Sequence, residues 1–335
     1  MASVPPDAAS LDVVGIGNAI VDVLSHTDDA FLIERGLTKG AMTLIDAEAA
    51  DRLYACLGPA VECSGGSAAN TMAGIASLGG TGAYIGKVKD DRLGQVFRRD
   101  IRVVGVAFDT PPAADGPSTA RCLVLVTPDA LRTLQTYLGA STELGPEDID
   151  PATISRAQIT YLEGYLWDPP RAKGAFLKAA RIAHEAGRKV ALTLSDPFCV
   201  ERHRAEFVDL VNYHVDILFA NQAEITSLYQ VADFESALRQ VRGRCEIAAL
   251  TRSEKGSVVL SAEEFHVLEA EPVEAVVDTT GAGDLYAAGF LYGLTHGHDL
   301  AVSGRLGGIA AAEVIGHIGA RPETPLAALV KKKLG

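Results

Sequence analysis

Short runs of β-branched and leucine residues alternate with longer segments of helical period from about residue 158 onward. Such alternation is typical of βαβ units whose strands form one parallel sheet. The strand-like runs lie at 159–162, 190–194, 215–219 and 247–250. Two earlier runs, 11–16 and 83–88, fit the same layer, and we expect each to lead into a helical stretch. The pattern predicts an α/β protein with a mainly parallel sheet.

The first half also contains strand-like segments outside this alternation, at 41–45, 61–63, 120–126 and 132–138. Only the turn Thr127 to Ala130 separates the last two, which favours a hairpin. We interpret these segments as a small β-sheet that acts as a lid against one edge of a larger domain. The expected boundaries are about 11–35, 65–104 and 141–335 for the large α/β domain, and about 36–64 and 105–140 for the lid.

Composition narrows the class of protein. The chain has 335 residues, 48% of them hydrophobic, so a large core is available. A net charge of −13 argues against nucleic-acid and anionic-membrane partners. No Lys or Arg precedes Arg35, and no apolar run reaches the ~18 residues that span a bilayer, so we expect a cytoplasmic protein. The five cysteines include no C-x-x-C, which predicts reduced, mostly buried thiols.

Two glycine-containing segments match phosphate-binding loops only in part. The segment at 15–20 begins like a dinucleotide fingerprint, but Ile20 stands where the third glycine belongs. The segment at 82–87 is one residue shorter than a P-loop, and Val88 replaces the Ser or Thr that would hold Mg²⁺. Neither an NAD site nor a P-loop site is therefore predicted.

The loop D-T-T-G-A-G-D at 278–284 leads into an apolar helical segment. Its small residues let N–H groups of the first helical turn reach an anion, where the helix dipole also favours negative charge. Asp284 would then be a general base beside an anion-binding loop. The alternative, a helix-start aspartate that only complements the dipole, stays open for this motif taken alone.

The wider set of motifs resembles the ribokinase-like (PfkB) family of carbohydrate and nucleoside kinases. The 278–290 segment is very similar to that family's C-terminal signature, and its N-terminal signature is present as G-G-S-A-A-N at 65–70. The resemblance extends over nearly the full length and implies a three-layer α/β/α domain with a β-sheet lid. It is strongest to the members that phosphorylate the 5′-hydroxyl of adenosine. It implies Asp284 as general base, an anion hole of Gly281, Ala282 and Gly283, ATP as co-substrate, and Mg²⁺. It also implies a K⁺ ion near the Asp278 loop.

The resemblance further implies an acceptor site. Asp22 and Asn70 would bind ribose hydroxyls, since a carboxylate accepts from both hydroxyls of a cis-diol and an amide donates and accepts. A turn aspartate and a polar helix-start residue are the alternatives for these two taken singly. The full acceptor set is Asn18, Asp22, Gly65, Gly66, Asn70, Tyr165 and Leu166. The glycine pair would also be a lid hinge, and Tyr165 or Leu166 would contact the adenine or simply pack in the core.

On the nucleotide side the resemblance implies Asn221, Thr251, Gly256, Arg132 and Asp278 as ATP-binding residues. Glu224 would organise Mg²⁺ through water, because hard oxygen ligands suit this ion. The N-x-x-E spacing of Asn221 and Glu224 is also an ordinary helix N-cap. Arg132 would swing onto the phosphates, or be a solvated strand arginine, and a simple β-turn is the alternative for the Thr251 to Gly256 loop.

Two departures from the family pattern bear on the acceptor. Lys89 stands where many relatives have glycine, and Ala120-Arg121 replaces a Gly-Thr pair of some relatives. A kinase of ribose, fructose, a related sugar or another nucleoside therefore stays as the alternative function. A non-catalytic nucleoside-binding regulatory protein is the alternative of a different class. The expected partners are small molecules, and the oligomeric state, monomer or homodimer, is left open.

Overall fold

A computed structural model describes residues 10–129 and 131–334. The strands are β1 (Leu11–Ile16), β2 (Ile20–His26), β3 (Met42–Leu44), β4 (Ala60–Gly65), β5 (Gly82–Ile85), β6 (Val106–Ala107), β7 (Ala120–Val126), β8 (Arg132–Tyr137), β9 (Ala157–Glu163), β10 (Lys189–Thr193), β11 (Ile217–Asn221), β12 (Ile247–Thr251), β13 (Ser257–Leu260) and β14 (Phe265–Leu268). The helices are α1 (Asp29–Glu34), α2 (Ala47–Ala55), α3 (Ser67–Ser77), α4 (Arg92–Val103), α5 (Pro151–Arg156), α6 (Pro170–Glu185), α7 (Pro197–Tyr213), α8 (Gln222–Tyr229), α9 (Phe234–Val241), α10 (Ala282–Thr295), α11 (Leu300–Val314) and α12 (Leu326–Leu334).

The large sheet has the strand order β14-β13-β12-β11-β10-β9-β1-β5-β6. Its pairs are parallel except those of β13 and β14, a hairpin pair that the sequence pattern did not predict. Successive side chains point to opposite faces, so Val14 packs with α6 to α9 while Val13 packs with α3, α10 and α11. Both faces are covered by helices, which confirms the three-layer α/β/α class.

The predicted core strands are confirmed, with small shifts at their ends. The run at 159–162 lies inside β9, and the run at 247–250 lies inside β12. The run at 215–219 begins two residues early, because β11 starts at Ile217. The run at 83–88 ends late, because β5 stops at Ile85. These differences are of the size expected at element ends.

The small sheet has the order β3-β8-β7-β2-β4. The predicted hairpin is confirmed, since β7 and β8 are antiparallel with Val126 opposite Arg132; Ala130 of its turn lies outside the described residues. The helical stretch expected directly after β1 is wrong. Strand β2 occupies that place and lies between β4 and β7. The chain therefore enters the small sheet after residue 19 and not near residue 36, because β2 is stabilised by partners distant in sequence.

The chain crosses between the two sheets four times, at 17–19, at 66–67, between β6 and β7, and after β8. The first crossing leaves from the carboxyl end of β1. Ligands of α/β proteins bind outside the carboxyl ends of the parallel strands. The small sheet thus stands at the edge where a ligand site is expected.

The described cysteines are all free thiols. Cys122 and Cys199 are buried, Cys63 and Cys245 are partly exposed, and Cys56 is exposed. Only two of the five are buried, so the prediction of mostly buried thiols is wrong. Of the helices in the described ranges, none combines the length and the apolar character needed to cross a bilayer.

Substitution of Phe290 tests the packing of α10 against the large sheet. Its ring is fully buried and meets Phe219 edge-on at 5.5 Å between centroids. We expect Phe290→Ala to lower the free energy of unfolding by about 3–5 kcal/mol, measured by urea denaturation, because the site cannot collapse fully around the lost ring. The control Val103→Ala changes a side chain that is 77% exposed and should stay within about 0.5 kcal/mol. Equal effects of the two changes would contradict this core assignment.

Candidate active site

The predicted anion loop forms the start of α10. Gly281 is the N-cap, with φ of 80°, and no side chain caps the helix. A Cβ on Gly281 would lie 2.8 Å from the Ala320 Cα atom, so glycine is required twice over, by conformation and by space. The Ala282 N–H donates to the Thr279 carbonyl at 3.2 Å, whereas a Cβ on Gly283 would meet nothing within 4 Å. The first-turn N–H groups of Gly283 and Asp284 are thus the ones placed to receive an anion.

The Asp284 carboxylate is held from the first turn of α3. The Ser67 hydroxyl donates to Oδ1 at 2.6 Å, and the Asn70 amide donates to Oδ2 at 3.1 Å. Burial raises the pKa of Asp284, while these two hydrogen bonds and the charge of Arg321 act in the opposite direction. The two donors orient the carboxylate and leave it free lone pairs for a hydroxyl proton. Ser67 was not predicted as a site residue, although it lies inside the 65–70 motif.

Arg321 is a second site residue that the sequence reasoning missed. Its Nε donates to Asn70 Oδ1 at 3.0 Å, and its Nη2 donates to the Ser64 carbonyl at 2.6 Å. Because Oδ1 faces the guanidinium, the amide nitrogen of Asn70 must face Asp284. Burial lowers the pKa of Arg321, and the charges of Asp100 and Asp22 are among those that oppose this. The segment G-A-R-P at 319–322 was the available signal, but nothing in the sequence placed it beside Asn70.

Asp22 lies on β2 with Cys63 of β4 and Cys122 of β7 as its direct cross-strand neighbours. Burial raises the pKa of Asp22 to about 6; the charges of Arg321 and Arg132 lower it, and that of Asp284 raises it. Within residues 10–129 and 131–334, no side chain or N–H group donates to the Asp22 carboxylate. This half-buried carboxylate therefore has its acceptor capacity available.

The predicted glycine pair is explained by two close approaches. A Cβ on Gly65 would lie 2.3 Å from the Asp22 carboxyl carbon, and a Cβ on Gly66 would lie 2.3 Å from the Asn18 carbonyl oxygen. Gly66 also has φ of 97°, a conformation that favours glycine. The structure therefore brings Asp22, Gly65 and Gly66 together.

Asn18 is buried, with 2% of its surface exposed, and its amide is occupied by the protein. Nδ2 donates to Glu163 Oε1 at 2.7 Å, and Oδ1 accepts from the Ser141 hydroxyl at 2.8 Å. One N–H and one lone pair of this amide remain, but burial leaves little of it open to a ribose. Asn18 thus lies at the expected place, but its side chain is directed into the protein.

The two expected base-pocket residues differ in their exposure. Leu166 is fully buried in the core cluster with α6 and α7, which agrees with the packing alternative. Tyr165 is partly exposed at the edge, and its hydroxyl donates to the Ser195 carbonyl at 3.2 Å. Of the two, only Tyr165 presents surface at the carboxyl edge.

Asn221 and Glu224 form a reciprocal capping box at the start of α8. The Glu224 N–H donates to Asn221 Oδ1 at 2.9 Å, and the Asn221 N–H donates to Glu224 Oε2 at 2.9 Å. Glu224 is 5% exposed; burial raises its pKa to about 7 although the Asn221 N–H bond lowers it. The ordinary N-cap alternative for N-x-x-E is therefore realised, at the carboxyl end of β11.

Thr251 is the direct neighbour of Asn221 across the β11 and β12 pair. The turn that follows it is closed by the Arg252 N–H, which donates to the Gly256 carbonyl at 2.7 Å. Gly256 has φ of 74°, and a Cβ there would lie 2.0 Å from the Leu268 carbonyl oxygen. Hairpin geometry alone thus requires this glycine, and the expected ATP role of the turn stays a prediction.

Arg132 of the small sheet forms an ion pair with Asp278, whose loop precedes α10. The two side chains are only 8% and 7% exposed. Asp278 also accepts from the N–H groups of Gly319 and Thr280, at 3.0 Å each. Burial would raise the pKa of Asp278, but these hydrogen bonds and the Arg132 charge outweigh it and hold the pKa below its usual value. The small sheet is therefore fastened to the anion loop, and Arg132 is not a solvated strand arginine.

Of the departures from the family pattern, Arg121 points away from Asp22. Arg121 is the cross-strand neighbour of Val21, so it points to the opposite face of the small sheet. There it forms an ion pair with Asp51 and lies 5.6 Å from the ring of Tyr54. The Lys89 ammonium donates to the Gly116 carbonyl at 2.8 Å. Arg121 thus gives no reason to doubt the acceptor.

We expect Arg132→Gln to loosen the small sheet. Removal of one member of a buried ion pair leaves the other without its counter-charge. Amide exchange measured by mass spectrometry should become at least ~10-fold faster in β7 and β8 and unchanged in β9 to β12. The control Arg202→Gln breaks an ion pair with Asp168 whose side chains are 49% and 36% exposed, and it should have little effect. Unchanged exchange in β7 and β8 would show that the ion pair does not fasten the sheet.

Comparison with known proteins places this site in a family. The model of the pfkB family carbohydrate kinases matches residues 56–327. The crystal structure of adenosine kinase from Sinorhizobium meliloti has a TM-score of 0.89 and 54% identity, covering 97% of this chain and 99% of that chain. The crystal structure of a probable sugar kinase protein from Rhizobium etli CFN 42 has a TM-score of 0.90 and 53% identity, covering 97% and 98%.

A curated relative extends the comparison beyond these two structures. Adenosine kinase from Saccharomyces cerevisiae is 26% identical over 330 residues, which is 92% of this chain and 95% of the yeast protein. The family model spans well over half of the chain. The chain therefore belongs to the pfkB family of carbohydrate kinases, which makes it a phosphotransferase that acts on an alcohol group with ATP as co-substrate.

Proposed function

We propose that this protein transfers the γ-phosphoryl group of ATP to the 5′-hydroxyl of adenosine. One observation carries the proposal: Asp22 offers a half-buried carboxylate that has no donor in the part of the chain that the structure describes, and it is near enough to Asp284 for their charges to interact. A cis-diol supplies the two donors that such a carboxylate lacks. The likeness to the Sinorhizobium meliloti adenosine kinase supports the nucleoside as acceptor.

Asp284 acts as the general base in this proposal. Its carboxylate takes the proton of the 5′-hydroxyl, whose oxygen bonds to the γ-phosphorus as the bond from γ-phosphorus to the bridging oxygen breaks and ADP leaves. Burial raises the pKa of Asp284, which makes it a stronger base than an exposed aspartate. The free N–H groups at the start of α10 stabilise the charge that develops on the phosphoryl oxygens.

Asn70 positions the base and still reaches the acceptor. Its amide carries two N–H groups and two lone pairs, and the contacts to Asp284 and Arg321 use one of each. The remaining N–H and lone pair suit a ribose hydroxyl. Asp22 and Asn70 would then bind the two ribose hydroxyls, while the small sheet closes the site as a lid.

ATP is proposed to lie along the carboxyl ends of β11 and β12, past Asn221, Thr251 and Gly256. Because the chain carries a net charge of −13, its overall field does not attract a polyphosphate. Local groups must do so, namely the first-turn N–H groups of α10 and the Arg132 guanidinium once it exchanges Asp278 for phosphate.

The residues fit a largely hydrated Mg²⁺ better than a protein-bound ion. Both Glu224 oxygens accept hydrogen bonds from Asn221, so Glu224 would meet the ion through water. In the described ranges, no three His, Cys, Asp or Glu residues form a metal-binding group. Bound with ATP, Mg²⁺ supplies charge neutralisation at the phosphates. The Asp278 carboxylate is occupied by Arg132, Thr280 and Gly319, and a K⁺ ion near its loop stays a prediction.

A sugar kinase is the second candidate. The burial of Leu166 removes one of the two expected contacts with a nucleobase. The Rhizobium etli relative, described as a probable sugar kinase, is as similar to this chain as the adenosine kinase. These two observations favour testing sugars beside nucleosides.

An acceptor panel tests the proposal. Transfer from radiolabelled ATP is measured with adenosine, inosine, cytidine, ribose and fructose. Adenosine should show a kcat/KM at least ~10-fold above the others, because a substrate that fills the base pocket gains transition-state binding that a bare sugar lacks. A sugar that equals or exceeds adenosine would replace the first candidate by the second.

Asp284→Asn tests the general base. We expect kcat to fall ~10²-fold or more with the acceptor KM and the unfolding midpoint little changed, since the amide keeps the shape but cannot take the proton. The control is Asp299→Asn, a helix-start aspartate that accepts from the Val302 N–H at 2.7 Å, where asparagine caps equally well. Near-normal turnover of Asp284→Asn would reject the general-base role.

A further inference from the structure

Glu163 is a buried carboxylate that the proposed reaction does not use. It ends β9 in the large sheet, and only 1% of its surface is exposed. Two of the four crossings between the sheets bind it directly, and the other two are linked to it through Asn18 and the segment at 140–141. We call the residues concerned, Glu163, Asn18, Ala68 and Ser141, the hinge cluster.

The first two crossings bind Glu163 directly. Its Oε1 accepts from the Asn18 N–H at 3.2 Å and from Asn18 Nδ2 at 2.7 Å, on the way into β2. Its Oε2 accepts from the Ala68 N–H at 2.9 Å, on the way from β4 into α3. A Cβ on Gly17 would lie 2.3 Å from Oε2, so the first crossing runs directly against the carboxylate.

The other two crossings attach through Asn18. The Ser141 hydroxyl, just after β8, lies 2.8 Å from Asn18 Oδ1 and 2.6 Å from the Leu138 carbonyl, and these two acceptors share its one hydrogen. The neighbouring Ala140 N–H donates to the Ser118 carbonyl at 2.9 Å, and Ser118 lies on the crossing before β7. A Cβ on Gly139 would lie 2.2 Å from that same carbonyl. The two later crossings are thus joined to each other and, through Ser141, to Asn18 and Glu163.

We propose that Glu163 is the positioning residue of the hinge between the sheets, which sets the placement of Asp22 against Ser67 and Asn70. Asn18 is four residues before Asp22, and Ala68 lies between Ser67 and Asn70. By holding both segments, Glu163 couples the proposed diol-binding carboxylate to the two side chains that orient Asp284. The acceptor part of this inference rests on the proposed function.

A carboxylate suits this position because three donors converge on it and it has none of its own. Hydrogen bonds to an ionised acceptor are stronger than neutral ones. In glutamine, one of the two oxygens becomes an NH₂ group that faces an N–H donor. Burial raises the pKa of Glu163 to about 7, while the bonds from Ala68 and Asn18 lower it and so favour the ionised form.

Glu163→Gln, with Asp12→Asn as matched control, tests the inference. Asp12 is also a buried carboxylate, 9% exposed, and it accepts from the Thr81 N–H at 2.7 Å, at the far end of β1 from the hinge cluster. Amide exchange at Asn18, at Ala68 and along β2 and β4 should accelerate at least ~10-fold in Glu163→Gln and not in Asp12→Asn. The adenosine KM should rise at least ~10-fold, with the ATP KM within about twofold.

Equal exchange in the two variants at Asn18 and Ala68 would overturn the inference. So would a uniform rise of exchange over both sheets, which marks a merely structural role. If wild-type protein fails to phosphorylate adenosine, the proposed acceptor is wrong, and the exchange data alone still decide the hinge. If Glu163→Gln does not fold, Ser141→Ala removes the Asn18 link to the later crossings. It should then raise exchange at Asn18 and leave Ala68 unchanged; equal effects at both would overturn the inference.

Discussion

The removal of four carboxylates from water at one edge of the large sheet is the constraint on which this structure depends. Burial is the largest influence on the pKa of Asp22, Glu163, Glu224 and Asp284, and it raises each of them. A buried carboxylate needs donors or a counter-charge. Three of the four receive donors from residues at a helix start, whereas Asp22 has no donor among the described residues and is influenced by the charges of Arg321, Arg132 and Asp284. Asp22 is therefore the carboxylate best suited to accept hydrogen bonds from a ligand.

The same constraint joins the two sheets. The donors for Glu163 and Asp284 come from α3 and the segment before β2, so satisfying the carboxylates brings both crossings to the large sheet. Arg132 adds a link from β8 to Asp278 at the opposite side of the anion loop. In the proposed function, movement of the small sheet as a lid would exchange the Arg132 contact with Asp278 for one with phosphate.

The sequence pattern predicted those strands and turns that interactions between neighbouring residues determine. Alternating apolar runs gave the core strands, and the four-residue turn gave the β7 and β8 hairpin, because periodicity and turn chemistry act over neighbouring residues. Strand β2 was mistaken for helix, since its partners β4 and β7 lie about 40 and 100 residues further on. The resemblance placed Asn18 at the acceptor site, and its bond to Glu163, 145 residues away, is invisible in sequence.

The sequence by itself determined the fold class, the family and the residue types available for phosphoryl transfer, because these reside in periodicity and in contiguous motifs such as 65–70 and 278–284. Only the tertiary structure decided which polar groups meet. In the fold, Arg321 donates to Asn70 and Arg121 points away from Asp22. The Asn18 amide is hydrogen-bonded to Glu163, and Leu166 is buried. The physical reason is that a side chain's role depends on the donors and charges that face it, and those come from distant segments.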